Sequence, residues 1–260
     1  MPTDAILLPG IVLPSDLAYG ALIESLGGDD RARAKDLEVY ATDRPPPDYG
    51  LELEVDGVLR AADAAGFDRF HLVGYSGGGA IAAVVAARHP DRLLSLALLE
   101  PAWMGNEGLS GEERQLRTEM ERIRDLPPDQ MMSSFIRMQL APGVEPPPPP
   151  PGPPQPWMSK RPAGIDALTH AFERHDLDPD ELRAFAKPVY FALGELSNPD
   201  YYGRMAERAE QLFADFTLEV WDGRHHFDPP HRAEPERLAG RLHELWARAS
   251  ERAAAERGSG

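Results

Sequence analysis

The chain has 260 residues, 43 acidic against 27 basic, and a formal net charge of −16. An acidic balance of that size argues against nucleic acid or an anionic membrane surface as a partner. Cysteine is absent, which excludes a disulfide framework and a thiol nucleophile.

Met1 to Leu8 holds neither a basic region nor a long apolar run, and no stretch approaches membrane-spanning length. No signal peptide is expected, and the expected location is the cytoplasm. Ala5-Ile6-Leu7-Leu8 reads as a buried strand closed by Pro9-Gly10. A helix is expected from Ser15 or Asp16, both N-cap types, carrying Leu17, Ala21, Leu22 and Leu26. Asp36-Leu37-Glu38-Val39-Tyr40 reads as a second short strand, followed by a loop at Pro45-Pro46-Pro47. Leu51, Val55, Val58, Leu59 and Ala62 recur at helical spacing.

The stretch Phe70 to Ile81 then gives an apolar strand, a glycine-dense turn and a helix from Gly77 to about Arg88. The turn contains Gly74-x-Ser76-x-Gly78, the spacing of a nucleophile elbow. A serine that attacks must project from a tight turn, and flanking glycines let the backbone make it. The helix that begins behind Ser76 aims free N–H groups and a positive dipole end at any oxyanion formed there.

Leu93 to Leu99 reads as another buried strand, ending in Glu100-Pro101. A charged helix is expected over residues 110–125 and a Met-rich one over about 129–140. Pro142 to Pro156, with six consecutive prolines from Pro146, is expected to be an extended polyproline connector. Strand and helix alternation resumes at Pro188 to Gly194, with a helix from about Asp200 to Phe213 and a strand over Thr217 to Trp221. The last helix is expected from Pro235 to Ala254, fraying into Gly258-Ser259-Gly260. Alternation of this kind implies a parallel sheet covered on both faces. The core is expected in residues 1–101 and 188–260, with 102–187 inserted as a cap over the carboxyl ends of the strands.

Leu7-Leu8-Pro9-Gly10-Ile11, Gly74-Tyr75-Ser76-Gly77-Gly78 and Arg224-His225-His226-Phe227 together resemble the α/β-hydrolase family, over almost the whole chain. The first segment takes the place of that family's His-Gly loop, with proline for histidine. The resemblance implies a six-stranded, all-parallel sheet and a serine hydrolase without cofactor or metal. It implies Ser76 as nucleophile, a late histidine as general base and an acid that orients the imidazole. The backbone N–H groups of Ile11 and Gly77 would form the oxyanion hole. His226, followed by Phe227, is preferred over His225 as base. The family's usual acid position after the fifth strand holds Ser197. The acid is therefore assigned to Glu100 at the end of the preceding strand, with Glu195 second. His225, His226, Asp228 and His231 also suggest a metal set, although their spacing fits no zinc signature. His71, His89, His231 and His243 are read as packing or surface residues. Serine at position 76 implies acyl chemistry on a small carboxylic ester or lactone, with acyl transfer, thioester hydrolysis, a lyase or a non-catalytic binding protein as alternatives. Trp103, Met104, Met131, Met132, Met138, Trp157 and Met158 supply apolar side chains for a pocket wall.

Overall fold

The computed structural model describes residues 3–28, 30–124, 126–148 and 152–258. Six strands form one sheet: β1 (Asp4–Leu8), β2 (Arg31–Ala34), β3 (Phe70–Tyr75), β4 (Leu93–Leu99), β5 (Val189–Gly194) and β6 (Phe216–Trp221). Their spatial order is β2-β1-β3-β4-β5-β6, and every neighbouring pair is parallel. This is the all-parallel six-stranded sheet expected from the alternation of elements.

The apolar runs of β1, β3, β4 and β5 reflect burial on both faces. Successive side chains point to opposite sides, which sorts each strand into two cores. Ile6, Leu8, Leu72, Leu96, Leu98 and Phe191 pack with α2 (Leu51–Ala64), α3 (Gly77–Arg88) and α8 (Arg204–Leu212). Leu7, Val73, Ala97, Leu99, Tyr190 and Trp221 pack with α1 (Ser15–Leu26) and α10 (Pro235–Gly258).

One expected strand is elsewhere. Asp36 to Tyr40 does not pair; Glu38–Tyr40 forms a 3₁₀ turn that buries Leu37 and Val39. The buried carboxylate of Glu54 receives the Glu38 and Val39 N–H groups at 2.8 and 2.9 Å, which fixes that turn. The second strand is instead Arg31–Ala34, at the sheet edge, with arginines exposed and alanines half-buried. An edge strand needs no apolar run, and Arg31 reaches Asp4 of β1 at 2.7 Å.

Between β4 and β5 lie α4 (Gly111–Arg124), α5 (Pro128–Met138), α6 (Arg161–Arg174) and α7 (Pro179–Arg183). The last two went unread in the sequence. Residues 142–148 and 152–155 carry neither helix nor strand, and the rest of the expected polyproline run, Pro149 to Pro151, lies outside the described residues. So do Ser259 and Gly260 of the expected frayed end. The helix expected from Asp200 begins as a π-helical turn, Pro199–Gly203, before α8. A short helix α9 (Pro230–Ala233) precedes α10. No helix among the described residues is long and apolar enough to cross a membrane.

Candidate active site

Four loops at the carboxyl ends of β1, β3, β4 and β6 meet at one point, where ligands bind in open parallel sheets. Ser76 follows β3 directly and has φ 51° and ψ −117°. That conformation is reached because the chain has almost no width here. A Cβ on Gly74 would stand 2.4 Å from the Gly78 carbonyl oxygen, and one on Gly78 would stand 2.4 Å from the Leu8 carbonyl oxygen. The Ser76 N–H donates to Leu99 O at 3.1 Å and its carbonyl accepts from Ala102 N at 2.9 Å, which ties the turn to the next strand.

Glu100 ends β4 with φ 45°, and among the described residues Ser76 and Glu100 are the two non-glycine residues with positive φ. Such conformations cost on the order of 1–3 kcal/mol each and persist where the surroundings over-determine them. Glu100 is over-determined by β5: its N–H donates to Ala192 O at 3.2 Å, and its Oε1 accepts from Gly194 N at 2.7 Å.

His226 lies in the loop after β6, held by its carbonyl, which accepts from the Tyr75 hydroxyl. Its Nδ1 is 3.1 Å from Glu100 Oε2 and its Nε2 is 3.1 Å from Ser76 Oγ. A carboxylate only accepts, so Nδ1 carries the proton and Nε2 presents its lone pair to the serine hydroxyl. The three side chains are nearly sealed, with Ser76 6 % exposed and Glu100 and His226 both 3 %. The ring of Tyr202, from the π-helical turn, stacks on the His226 imidazole at 4.5 Å and 15°. The Tyr202 hydroxyl donates to Gln139 Oε1 at 2.7 Å, linking the imidazole to the segment after α5. Burial, reinforced by the nearby Glu100 charge, raises the pKa of both Tyr75 and Tyr202 well above the usual phenol value, so both stay neutral donors.

Ile11 and Gly77 flank Ser76 in the wall of a cavity of ≈ 350 Å³. A Cβ on Gly77 would lie 3.6 Å from Ile11 N, so the Gly77 backbone runs beside the Ile11 amide. Neither N–H donates to an acceptor among the described residues. The rest of the wall comes from the segment between β4 and β5, including Trp103, Met120, Phe135, Leu168 and Phe172.

The remaining candidates are not part of this cluster. Glu195 is exposed and accepts from Gly223 N at 2.8 Å. Ser197 is buried, with its hydroxyl unpartnered among the described residues. His225 is half-buried and accepts from Phe227 N at 3.2 Å. As a metal set, His225, His226, Asp228 and His231 are separated in function. Asp228 pairs with Arg224, and the fully buried His231 ring lies against Tyr19 and Tyr75 at 4.8 and 4.7 Å. Among the described residues no group of three or more His, Cys, Asp or Glu is placed to hold a metal ion. Of the apolar residues expected in a pocket wall, Trp103 lines the cavity, whereas Met104 packs into the core. Met131, Met132, Met138, Trp157 and Met158 are not in the wall; Met120 and Phe135 take that part.

A family model described as the alpha/beta hydrolase fold matches residues 27–135. The chain has the α/β-hydrolase fold. A carboxylesterase structure from Nitrososphaera gargenis is similar at 17% identity and TM-score 0.69, covering 96% of this chain and 92% of that one. Naproxen esterase from Bacillus subtilis is similar at 17% identity and TM-score 0.64, covering 94% of this chain and 84% of that one. A curated relative, the dihydrolipoyllysine-residue acetyltransferase component of the acetoin cleaving system of Cupriavidus necator, is 32% identical over 99 residues. That match takes in 34% of this chain, which spans only 26% of the relative's length.

Within this α/β-hydrolase fold, three contributors had no visible signal in the sequence. Tyr202 and Gln139 act from a π-helical turn and a helix end whose positions depend on tertiary packing. Tyr75 sits inside the elbow motif at a position the motif leaves open, and its role appears only with the His226 loop in place.

Proposed function

We propose that the chain is a serine hydrolase that cleaves small carboxylic esters or lactones through an acyl-enzyme on Ser76. The observation that carries this reading is the hydrogen-bonded chain Ser76–His226–Glu100 at the floor of a largely apolar cavity. His226 Nε2 takes the hydroxyl proton as Ser76 Oγ attacks the ester carbonyl carbon. Glu100 holds the Nδ1 tautomer and stabilises the imidazolium that forms. The carbonyl oxygen, now an oxyanion, accepts from the Ile11 and Gly77 N–H groups. Collapse expels the alcohol, which receives the proton from His226 Nε2. A water then attacks the acyl-serine by the same route in reverse and releases the carboxylic acid.

Residues 102–187 serve as the cap over this site: they supply the acyl pocket and touch the base through Gln139 and Tyr202. The esterase names among the structural relatives agree with this reading. Acyl transfer, suggested by the name of the acetyltransferase relative, uses the same acyl-serine with another acceptor in place of water. The reading is tested by p-nitrophenyl ester hydrolysis in wild type, Ser76→Ala and His226→Ala. Turnover in wild type and its loss in both variants is expected. Undiminished turnover in Ser76→Ala would refute the assignment, and release of p-nitrophenol beyond the first equivalent only with an added alcohol or thiol would make the protein a transferase.

A further inference from the structure

The proposed mechanism leaves unused the one basic residue that lines the cavity among the described residues. Arg117, on α4, lines the same cavity as Ser76. Its guanidinium donates to Asn106 Oδ1 and, at 2.6 Å, to Gly105 O, both neutral acceptors. Three of its five N–H groups have no acceptor among the described residues, and no described carboxylate lies within ion-pair distance. Glu113, one turn earlier on the same helix, is already taken: it pairs with Arg208 at 2.8 Å. Asn106, which steadies the guanidinium, is itself fixed by donating to Phe172 O and His175 O, each at 2.9 Å. The fork is therefore held in place, half-buried, with unfilled donors and a charge that nothing in direct contact neutralises.

Resting on the hydrolase reading, we propose that Arg117 makes this cavity a site for esters bearing a carboxylate at the end remote from the scissile bond. A carboxylate is planar and matches the two parallel N–H donors of a guanidinium. The apolar side chains that line the cavity with Ser76 and Arg117, among them Trp103, Met120, Leu168 and Phe172, suit the methylene or aryl spacer of a half-ester. Burial lowers the Arg117 pKa from the usual guanidinium value, with Arg208 acting in the same direction and Tyr201, Glu113 and Glu173 opposing it. Two further acids, Glu121 and Glu173, also face the cavity, but both are exposed at its mouth. With one inner cation and two outer carboxylates, the site fits a single negative charge better than a phosphate dianion.

The test compares p-nitrophenyl half-esters of succinate, glutarate and adipate with the same esters methylated on the free carboxyl, after subtraction of spontaneous hydrolysis. Wild type is expected to prefer the free carboxylate at its best chain length by about ten- to a hundredfold in kcat/KM, the range of a charge-assisted hydrogen bond. Arg117→Met is expected to abolish that ratio, and Arg117→Lys to retain part of it. A wild-type ratio near one at every length, or a preference that survives in Arg117→Met, would overturn the proposal while leaving hydrolysis intact. If neither ester is cleaved, the hydrolase reading fails by itself. Calorimetric binding of monomethyl adipate to Ser76→Ala then decides the inference, which stands if Arg117→Met removes the binding and falls if no binding is seen.

Discussion

Replacing Glu100 by glutamine alters the site by one atom and one charge. The carboxylate lies 3.1 Å from His226 Nδ1, and both groups are 3% exposed, so solvent screens them little. At a charge separation of about 4 Å and an effective dielectric of about 20, the imidazolium formed during attack is stabilised by about 4 kcal/mol. Losing that interaction corresponds to about a 10³-fold fall in kcat. The amide adds a second cost. With its NH₂ toward Nδ1 it favours the other imidazole tautomer, which takes the lone pair away from Ser76. The side chain keeps an acceptor for the Gly194 N–H, so the fold is expected to survive. The assay is steady-state hydrolysis of a p-nitrophenyl ester by Glu100→Gln and Glu195→Gln, with thermal melts of both. Glu100→Gln within tenfold of wild type, or a collapse confined to Glu195→Gln, would refute the assignment of the acid.

Tyr202→Leu removes the stacked ring; kcat for p-nitrophenyl ester hydrolysis should fall about three- to tenfold, since an aromatic face stabilises the imidazolium formed during attack. Tyr202→Phe, which retains the ring and loses only the Gln139 bond, should keep kcat close to wild type. Two glycines should respond in opposite directions in urea titrations. Gly20→Ala, inside α1 with nothing within 4 Å of the added methyl, should stabilise by about 1 kcal/mol. Gly78→Ala, with its methyl 2.4 Å from a carbonyl oxygen, should be severely destabilising or fail to fold. Stability should also fall in mild acid. His231 and His71 are buried, and burial lowers the pKa of each to about 3. The unfolded chain therefore takes up protons below about pH 6.5 that the folded protein refuses until about pH 3, so stability is full above 6.5 and declines as pH drops. Each ring accounts for about 2.5 kcal/mol between pH 7 and 4.5. His231→Phe, which also removes two ring nitrogens without partners among the described residues, should flatten the profile by about that amount. A variant profile parallel to wild type would contradict this.

The sheet was legible wherever strands are buried on both faces, because β1, β3, β4 and β5 consist almost entirely of apolar residues. It was illegible at β2, where an edge position accepts Arg-Ala alternation and the apolar pair Leu37 and Val39 serves a turn instead. Ser76 was visible as a serine among glycines at a strand-to-helix turn. Glu100 was visible as a carboxylate ending an apolar run, a position that needs partners, and the structure brings it to His226 and Gly194. The cavity wall was not readable residue by residue. Which of the methionines and aromatics between β4 and β5 face inward depends on how α4, α5 and α6 pack, and that packing is set by contacts such as Asn106 to Phe172 and His175. Tyr202 depends on a single wide helical turn that no local pattern announces.

The account rests on a reactive hydroxyl at Ser76, and covalent labelling by a fluorophosphonate probe measures that reactivity without any knowledge of the substrate. Mass spectrometry is expected to find one adduct per chain on Ser76, absent in Ser76→Ala and formed far more slowly in His226→Ala. No adduct on the folded protein, or an adduct that persists in Ser76→Ala, would contradict it.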